Sequence, residues 1–238
     1  MNLITLQIKT TDNFKKNLKR LIKYLKQTPK NSIIVAPELC LNGYAYDRID
    51  DAVSITKEAI PVLKKLSKNK TITLTMTEKK KNNYLNTLFI FHKGKIVHKQ
   101  SKNKLFVLND ERHYFTNGNI EDIKIIDIDG IKIAAMICFE LRFIELWQRI
   151  QGADIILIPA MWGILRKENF ETLTKALAVA NQCFVIASDS ANNDMAKSSA
   201  IITPFGNATL DDNKNIIELD ADLKEIKKMR RYMNVGIK

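Results

Sequence analysis

The sequence predicts an α/β protein that folds as a single domain over residues 1–238. Short runs rich in β-branched residues alternate with helical stretches along most of the chain, which is the pattern of helices layered on sheets. Hydrophobic residues make up 45% of the composition, so the chain can bury a large core. No stretch has the composition of a linker, and this length is within the range of one larger domain.

The first third of the chain predicts three strands and two helices. The opening run LITLQI is a strand, and residues 13–27 have apolar side chains at helical spacing. The run SIIVAPE predicts a buried strand that ends in a proline and a glutamate. Residues 52–68 predict a second helix, and TITLTMT predicts a further strand.

The middle and the end of the chain add hairpins and continue the alternation. The segment KKKNNYLNTLFIFHKGKIVHKQ predicts two hairpins with turns at residues 79–83 and 92–94. IKIIDIDGIKIAAMIC predicts two strands joined at Asp129 and Gly130. Then follow a helix at residues 143–150, the strand ADIILIPA, a helix at residues 168–182, the strand CFVIASDS, and SSAIITPFG with a final strand and a basic tail.

The charge balance is strongly basic, with 38 Lys and Arg residues against 26 Asp and Glu residues, a net charge of +12. Such an excess is typical of proteins that bind nucleic acid or an anionic membrane surface. The lysines, however, are spread in short groups and are not interleaved with aromatic residues, as a base-stacking surface requires. We therefore expect a solvated lysine-rich surface, with no nucleic acid and no membrane as partner, and keep a basic nucleic-acid-binding protein as an alternative.

Cysteine usage and hydropathy indicate the compartment. Three cysteines cannot all pair, and none forms a close metal-binding doublet with another cysteine or a histidine. The N-terminus has only a short apolar run, and no run elsewhere reaches the length that a bilayer needs. We expect a soluble cytoplasmic protein that needs no metal and no cofactor.

Three predicted strands end at positions of interest. Glu38 follows SIIVAP, Cys138 follows IKIAAMI, and Pro159 follows ADIILI. In layered α/β folds, ligand sites gather beyond the carboxyl ends of strands, where side chains are exposed on a rigid backbone. These strand ends are therefore the predicted location of a site.

Cys138 has two interpretations. A cysteine at the end of an apolar strand is commonly a small buried hydrophobic residue. At a turn from a strand into a helix, however, the side chain faces solvent, and the N–H groups and dipole of the helix N-terminus stabilise a thiolate. The same N–H groups can hold an oxyanion, so this position favours a nucleophile.

A thiol nucleophile needs a base, and the sequence offers histidines and carboxylates. His92 and His98 flank a hairpin turn and are expected to be exposed, while His113 falls in a loop. A Cys-His enzyme stays open, but no placement favours it. Glu38 follows Pro37 and a hydrophobic strand, so its carboxylate is expected to be partly buried and available as a base.

Taken alone, Lys102 is typical of a solvated surface charge and Glu111 of a loop residue. Together with Glu38 and Cys138, however, they occupy motifs whose order along the chain resembles the nitrilase superfamily of carbon-nitrogen hydrolases. VAPELCLNGY is similar to the family's first glutamate motif, SKNKLF to its lysine motif, DERHYFTNGN to its second glutamate stretch, and ICFELRFIELWQRIQGADIILIPAMW to its cysteine motif. AVANQCFVIA and SSAIITPFG resemble later segments, so the resemblance spans nearly the whole chain.

The chain also departs from the family pattern. Lys104 replaces a histidine in the lysine motif, and Glu140 stands where an aspartate is usual. Further departures are Ile144, Leu177, Ala180 and Lys197. None of them is the glutamate, lysine or cysteine, so they concern the substrate pocket and subunit contacts and not the reaction type.

The resemblance implies a four-layer α-β-β-α sandwich that pairs into a homodimer or a higher homo-oligomer. It also implies a catalytic triad of Glu38, Lys102 and Cys138 that attacks the carbonyl carbon of an amide and forms a thioester. Lys102 and the backbone N–H of Phe139 would hold the oxyanion, and Glu111 would position Lys102 or the substrate.

The substrate is expected to be a small amide. CFELRFIEL, IPAMW and ANQCFVIA most resemble amidases that act on ω-amides of dicarboxylic acids, such as α-ketoglutaramate. Arg142 is interpreted as an ion-pairing scaffold with Glu145, or as a substrate-binding residue together with Trp162. An N-carbamoyl amidohydrolase and a nitrilase are alternatives within the family, and a non-catalytic binding protein is the alternative without catalysis.

Overall fold

Two six-stranded sheets lie at the centre of the molecule in a computed structural model, which describes residues 1–237 and only the backbone of Asn109. The last residue of the predicted domain, Lys238, lies outside the described residues. The first sheet has the spatial order β12 (Ile216–Asp220), β1 (Asn2–Leu6), β2 (Ile33–Val35), β3 (Thr71–Lys80), β4 (Asn83–His92) and β5 (Lys95–Ser101). The second has the order β11 (Ala208–Leu210), β10 (Ala200–Ile202), β9 (Phe184–Ser188), β8 (Ile155–Pro159), β7 (Ile131–Ala135) and β6 (Ile126–Ile128).

Helices cover the outer face of the first sheet. α1 (Phe14–Gln27) and α2 (Ile49–Leu66) pack on this sheet through a hydrophobic cluster that contains Leu21 and Leu25 of α1 and Ile4 of β1. The helix α1 begins where the sequence predicts, because the side chain of the preceding asparagine accepts a hydrogen bond from a backbone N–H of the first turn. Its apolar stripe therefore faces the sheet.

The inner faces of the two sheets pack against each other. Leu3 of β1 belongs to a second hydrophobic cluster, because successive side chains of a strand point to opposite faces of the sheet. Thr5 donates its hydroxyl to the carbonyl oxygen of Ala187 in β9 at 2.7 Å. On the far side of the second sheet, α5 (Lys167–Asn181) buries Phe170 in the same cluster. The predicted four-layer α-β-β-α sandwich is confirmed.

Three further helices complete the described chain: α3 (Glu111–Tyr114), α4 (Ile144–Arg149) and α6 (Lys224–Tyr232). After SSAIITPFG the sequence predicts one strand and a basic tail, and this is wrong. The structure has two strands, β11 and β12, followed by the helix α6. Ile226 and Met229 of α6 are buried, so an apolar pair at helical spacing is concealed among many charged residues. Within residues 1–237, no helix combines the length and hydrophobicity needed to cross a bilayer.

Parallel strands fix the location of the site. β1, β2 and β3 run parallel in the first sheet, and β7, β8 and β9 run parallel in the second. The carboxyl ends of parallel neighbours lie at one edge of their sheet, where the chain leaves for the next element. The segments that follow β2, β7 and β8 carry the residues described below.

Candidate active site

The chain segments after β2 and β8 are bonded to each other. Glu38 follows β2 and donates its backbone N–H to the carbonyl oxygen of Ala160 at 3.1 Å. The next residue, Leu39, has a positive φ of 44°, and its N–H donates to the hydroxyl of Thr75 at 2.7 Å. These bonds fix the turn that carries the fully buried side chain of Glu38.

Lys102 links two carboxylates. Its Nζ donates to Glu38 Oε1 at 2.8 Å and to Glu111 Oε1 at 2.6 Å, and it lies 3.3 Å from the hydroxyl of Tyr44. The three charged side chains are fully buried. Burial disfavours the ammonium, but Glu38, Cys138 and Glu111 outweigh it and raise the pKa of Lys102 above its usual value. The residue is therefore a fixed cation at neutral pH.

The two oxygens of the Glu38 carboxylate differ in their surroundings. Oε1 accepts hydrogen bonds from Lys102 and, at 2.8 Å, from the side-chain amide of Asn86. Oε2 is buried and accepts no hydrogen bond from the described residues. A buried acceptor without a donor is costly, so this oxygen is free to accept a hydrogen bond from a neighbouring group.

Cys138 begins a short 3₁₀ turn, Cys138–Arg142, that follows β7. It has a positive φ of 49°, a conformation that L-residues rarely adopt outside functional or tightly held turns. Within this turn, the N–H of Glu140 donates to the carbonyl oxygen of Ile137, the residue before the turn, at 3.0 Å. The N–H of Phe139 lies one residue earlier, where helix N-termini have unsatisfied donors.

The state of the thiol differs from the expectation that the helix N-terminus stabilises a thiolate. Burial and the Glu38 carboxylate raise the pKa of Cys138 well above its usual value. Lys102 and the backbone N–H of Met161 act in the opposite direction but do not prevail. A single 3₁₀ turn has too small a dipole to change this balance, so Cys138 rests as a protonated thiol.

Glu140 connects the cysteine turn to the lysine segment. Its Oε2 accepts the N–H of Ile137 at 2.7 Å, and its Oε1 accepts the N–H of Asn103 at 2.6 Å. Burial raises the pKa of this carboxyl to about 7, although the hydrogen bonds from Ile137 and Asn103 lower it. Glu140, which stands where the family usually has an aspartate, therefore holds the backbone of both the cysteine segment and the lysine segment in place.

The histidines lie outside the candidate site. His98 was expected to be exposed and is buried instead, because alternation along β5 places it with Gln100, whose amide donates to Ala135 O at 3.0 Å between the sheets. His92 is bonded to the side chains of Thr71 and Asp129 at the opposite end of β4. None of the histidines lines the cavity around Cys138 in the described part of the chain.

A cavity of about 820 Å³ opens at Cys138. Its lining includes Tyr44 and Glu111 beside the cysteine, and the guanidinium-bearing residues Arg48 and Arg166. A void of about 20 Å³ adjoins Cys138 and is lined by Phe106, Phe139, Arg142, Met161, Trp162 and Arg166. The cysteine therefore faces a space large enough for a small organic substrate.

The structure changes the interpretation of Arg142. Glu145 pairs with Lys104 at 3.0 Å, so the predicted ion pair between Arg142 and Glu145 is wrong. The lysine that replaces the family histidine supplies the cation. Arg142 is exposed, donates to Asn169 Oδ1 at 2.8 Å and lies over the ring of Trp162 at 5.2 Å. It therefore reaches the small void and not the main cavity.

Sequence reasoning missed several residues of the site. Asn86 and Tyr44 contact the charged cluster, and Asp189 accepts the N–H of Trp162 at 2.8 Å and so fixes the segment that presents Met161 to the thiol. Tyr44 ends the first glutamate motif, which was a usable signal. Asn86 lies in β4 next to Thr87, and Asp189 follows β9 between Ser188 and Ser190, so neither stands out from its polar neighbours in the sequence.

The arrangement can support acyl transfer. The protonated thiol of Cys138 lines the cavity and interacts electrostatically with the Glu38 carboxylate, which has an unbonded oxygen, and with the ammonium of Lys102, both buried behind it. A carboxylate can accept the proton of a thiol as it attacks, and an ammonium with a nearby N–H can stabilise the oxygen of a tetrahedral intermediate.

Comparison with known proteins agrees with this geometry. The family model described as "Carbon-nitrogen hydrolase" matches residues 3–231. The chain is 30% identical over 234 residues to the 2-oxoglutaramate amidase of Bacillus subtilis, covering 92% of this chain and 89% of that protein. It is 28% identical to the deaminated glutathione amidase of Escherichia coli O157:H7, with 84% and 81% of the two chains covered.

The fold agrees as well. A crystal structure of a carbon-nitrogen hydrolase from Helicobacter pylori superposes with a TM-score of 0.86 at 21% identity, covering 98% of this chain and 92% of that one. Since the family model spans nearly the whole chain, the protein belongs to the carbon-nitrogen hydrolase family.

Proposed function

We propose that this protein is an amidase that hydrolyses small ω-amides of dicarboxylic acids and releases ammonia. The observation that carries the proposal is the contact of Lys102 with Glu38 beside the cavity that Cys138 lines. Cys138 is the nucleophile, Glu38 the general base and acid, and Lys102 the cation that binds the oxyanion. The mechanism needs neither a metal nor a cofactor.

In the first half of the reaction, the sulfur of Cys138 bonds to the amide carbon while the thiol proton passes to Glu38. The carbonyl oxygen becomes an oxyanion, held by Lys102 Nζ and the N–H of Phe139. Glu38 then gives its proton to the leaving nitrogen as the carbon-nitrogen bond breaks. Ammonia departs, and a thioester remains on Cys138.

In the second half, water attacks the thioester carbon and Glu38 accepts the proton of the water. The carbon-sulfur bond breaks, the sulfur recovers the proton from Glu38, and the acid is released. Glu111 acts as a positioning residue. Its Oε2 accepts the N–H of Phe106 at 2.8 Å, which holds the carboxylate in place. Its Oε1 accepts a hydrogen bond from Lys102 and so keeps the ammonium between Glu111 and Glu38.

The substrate class is supported by the relatives and by the cavity. The relative from Bacillus subtilis is named for 2-oxoglutaramate, which is the monoamide of a dicarboxylic acid. The cavity lining includes Arg166, whose guanidinium suits a substrate that carries a carboxylate, together with Arg48 and the aspartates Asp12, Asp47 and Asp194. Trp162 contributes a buried indole N–H with no acceptor among the described residues, and we propose that it donates to the substrate from the small void.

A substrate panel tests the proposal. We expect ammonia release from α-ketoglutaramate, glutaramate and succinamate, and a slower rate with N-carbamoyl amino acids and nitriles of the same length. Intact-mass measurement after rapid quenching should show an acyl adduct on the wild-type chain. Ammonia release from none of the amides, or faster turnover of a carbamoyl compound or nitrile than of any amide, would contradict the proposed function.

We also propose that the chain forms a homodimer in the cytoplasm. Val179 of α5 is an exposed apolar side chain that lies against Gly206, and the residue before that glycine, Phe205, is exposed as well, which suits a contact between two copies. Light scattering after gel filtration should give twice the chain mass of 27.3 kDa. A monomer at micromolar concentration would contradict the dimer.

The proposed cytoplasmic location is supported by the free cysteines, which are all buried and suit a reducing compartment. Cell fractionation tests this location.

A further inference from the structure

Arg166 lies where the main cavity and the small void meet. It lines both spaces, and Cys138 lines both as well. It ends a 3₁₀ turn, Ile164–Arg166, directly before α5, and its backbone N–H donates to Gly163 O at 2.9 Å. A Cβ atom at Gly163 would come within 2.9 Å of Arg166 Nη2. Glycine at that position therefore leaves room for the guanidinium beside the cavity.

The guanidinium of Arg166 has an aromatic contact but no acid. It lies over the ring of Phe106 at 5.2 Å, and Phe106 packs on Phe139 with 5.0 Å between ring centroids. Among residues 1–237, no carboxylate oxygen lies within 4.0 Å of its nitrogens. A half-buried guanidinium retains donors that match a carboxylate in a two-point contact, so an unpaired one at a cavity wall favours an anionic ligand.

The other arginines near the cavity are engaged elsewhere. Arg48 donates to the carbonyl oxygen of Asp12 at 2.7 Å and lies over the ring of Phe14 at 4.2 Å. Arg142 is exposed and bonded to Asn169. Arg166 is therefore the arginine best placed to contact a ligand that also reaches Cys138.

We propose that Arg166 binds the carboxylate at the far end of the substrate and so selects monoamides of dicarboxylic acids over neutral amides. This inference rests on the proposed amidase function. The carboxylate lies against the Arg166 side of the cavity while the amide carbon faces Cys138. The ring of Phe106 supports the plane of the guanidinium and keeps it from solvent, which strengthens the ionic contact.

Paired substrates test this role. Glutaramate and pentanamide have the same chain length, and only glutaramate carries a carboxylate. For Arg166→Met we expect the ratio of kcat/KM for glutaramate to that for pentanamide to fall on the order of 10- to 100-fold, mainly through KM. Arg166→Lys should recover part of the ratio. Arg149→Met is the matched control, because Arg149 pairs with Glu121 away from both cavities and its loss should leave the ratio unchanged.

A binding measurement separates this inference from the proposed function. Calorimetry of glutarate with the Cys138→Ala chain reports carboxylate binding without catalysis, and the affinity should fall when Arg166→Met is added. Wild-type protein that releases ammonia from none of α-ketoglutaramate, glutaramate and succinamate would contradict the amidase function, whatever the binding result. The inference would be overturned if a folded Arg166→Met protein kept both its substrate ratio and its glutarate affinity. It would also be overturned if the ratio and the affinity fell in Arg142→Met and not in Arg166→Met.

Discussion

Replacing Cys138 with alanine is expected to lower the rate of ammonia release by at least about 10⁴-fold, because the proposed reaction loses its nucleophile. The acyl adduct should disappear from the mass spectrum at the same time. The fold should survive, since alanine occupies less space than cysteine and the hydrogen bonds of Glu140 that fix the turn remain. Circular dichroism and a thermal unfolding curve check the fold.

Two other cysteines provide matched controls. Cys40 and Cys183 are buried like Cys138, but neither lines the cavity. Alanine at either position removes a buried thiol and should change the stability by a small amount while the activity stays near that of the wild type. Retained turnover in the Cys138→Ala protein, with the adduct still present, would show that another group carries the acyl intermediate.

Replacing Lys102 with methionine should produce the largest loss of stability of any single change at the site. The variant leaves the Glu38 and Glu111 carboxylates buried without their shared cation. Breaking a buried charge pair typically costs about 3–5 kcal/mol in the free energy of unfolding. Activity should disappear as well, because the oxyanion loses its cation. Urea unfolding at pH 7 measures the stability.

Removing one of the two carboxylates gives a further check. Adding Glu111→Gln to Lys102→Met leaves a single buried carboxylate at the site, so the double variant should recover part of the stability lost at pH 7. Lys104→Met is the control, because that lysine is part-exposed and its loss should cost little.

The sequence predicts most of the fold because its strands are strongly apolar and its turns carry clear signals. The hairpins around β4 and the strands about Asp129 and Gly130 lie where the pattern places them. The pairing of β12 with β1 could not be predicted, since it joins residues more than 200 positions apart in sequence, such as Leu3 and Leu219. Long-range register depends on how whole layers pack and not on any local pattern.

The candidate site, too, could be predicted only in part from the sequence. Glu38, Lys102, Glu111 and Cys138 could be proposed together because a family resemblance linked four separate motifs. The resting state of Cys138 could not, since its pKa depends on burial and on a carboxylate from a distant segment. Arg166 was missed for a different reason. The chain has 38 Lys and Arg residues, and only the structure shows which of them lines the cavity without a carboxylate partner.

The protonated state of the Cys138 sulfur bears on how the protein survives in the cell. Peroxides and alkylating metabolites react with thiolates far faster than with thiols. A nucleophile that ionises only when a bound amide accepts its electrons is shielded from these reagents between turnovers. We therefore expect the burial that raises the pKa of the Cys138 thiol to slow its oxidation and alkylation as well, so that the proposed nucleophile stays reduced between turnovers.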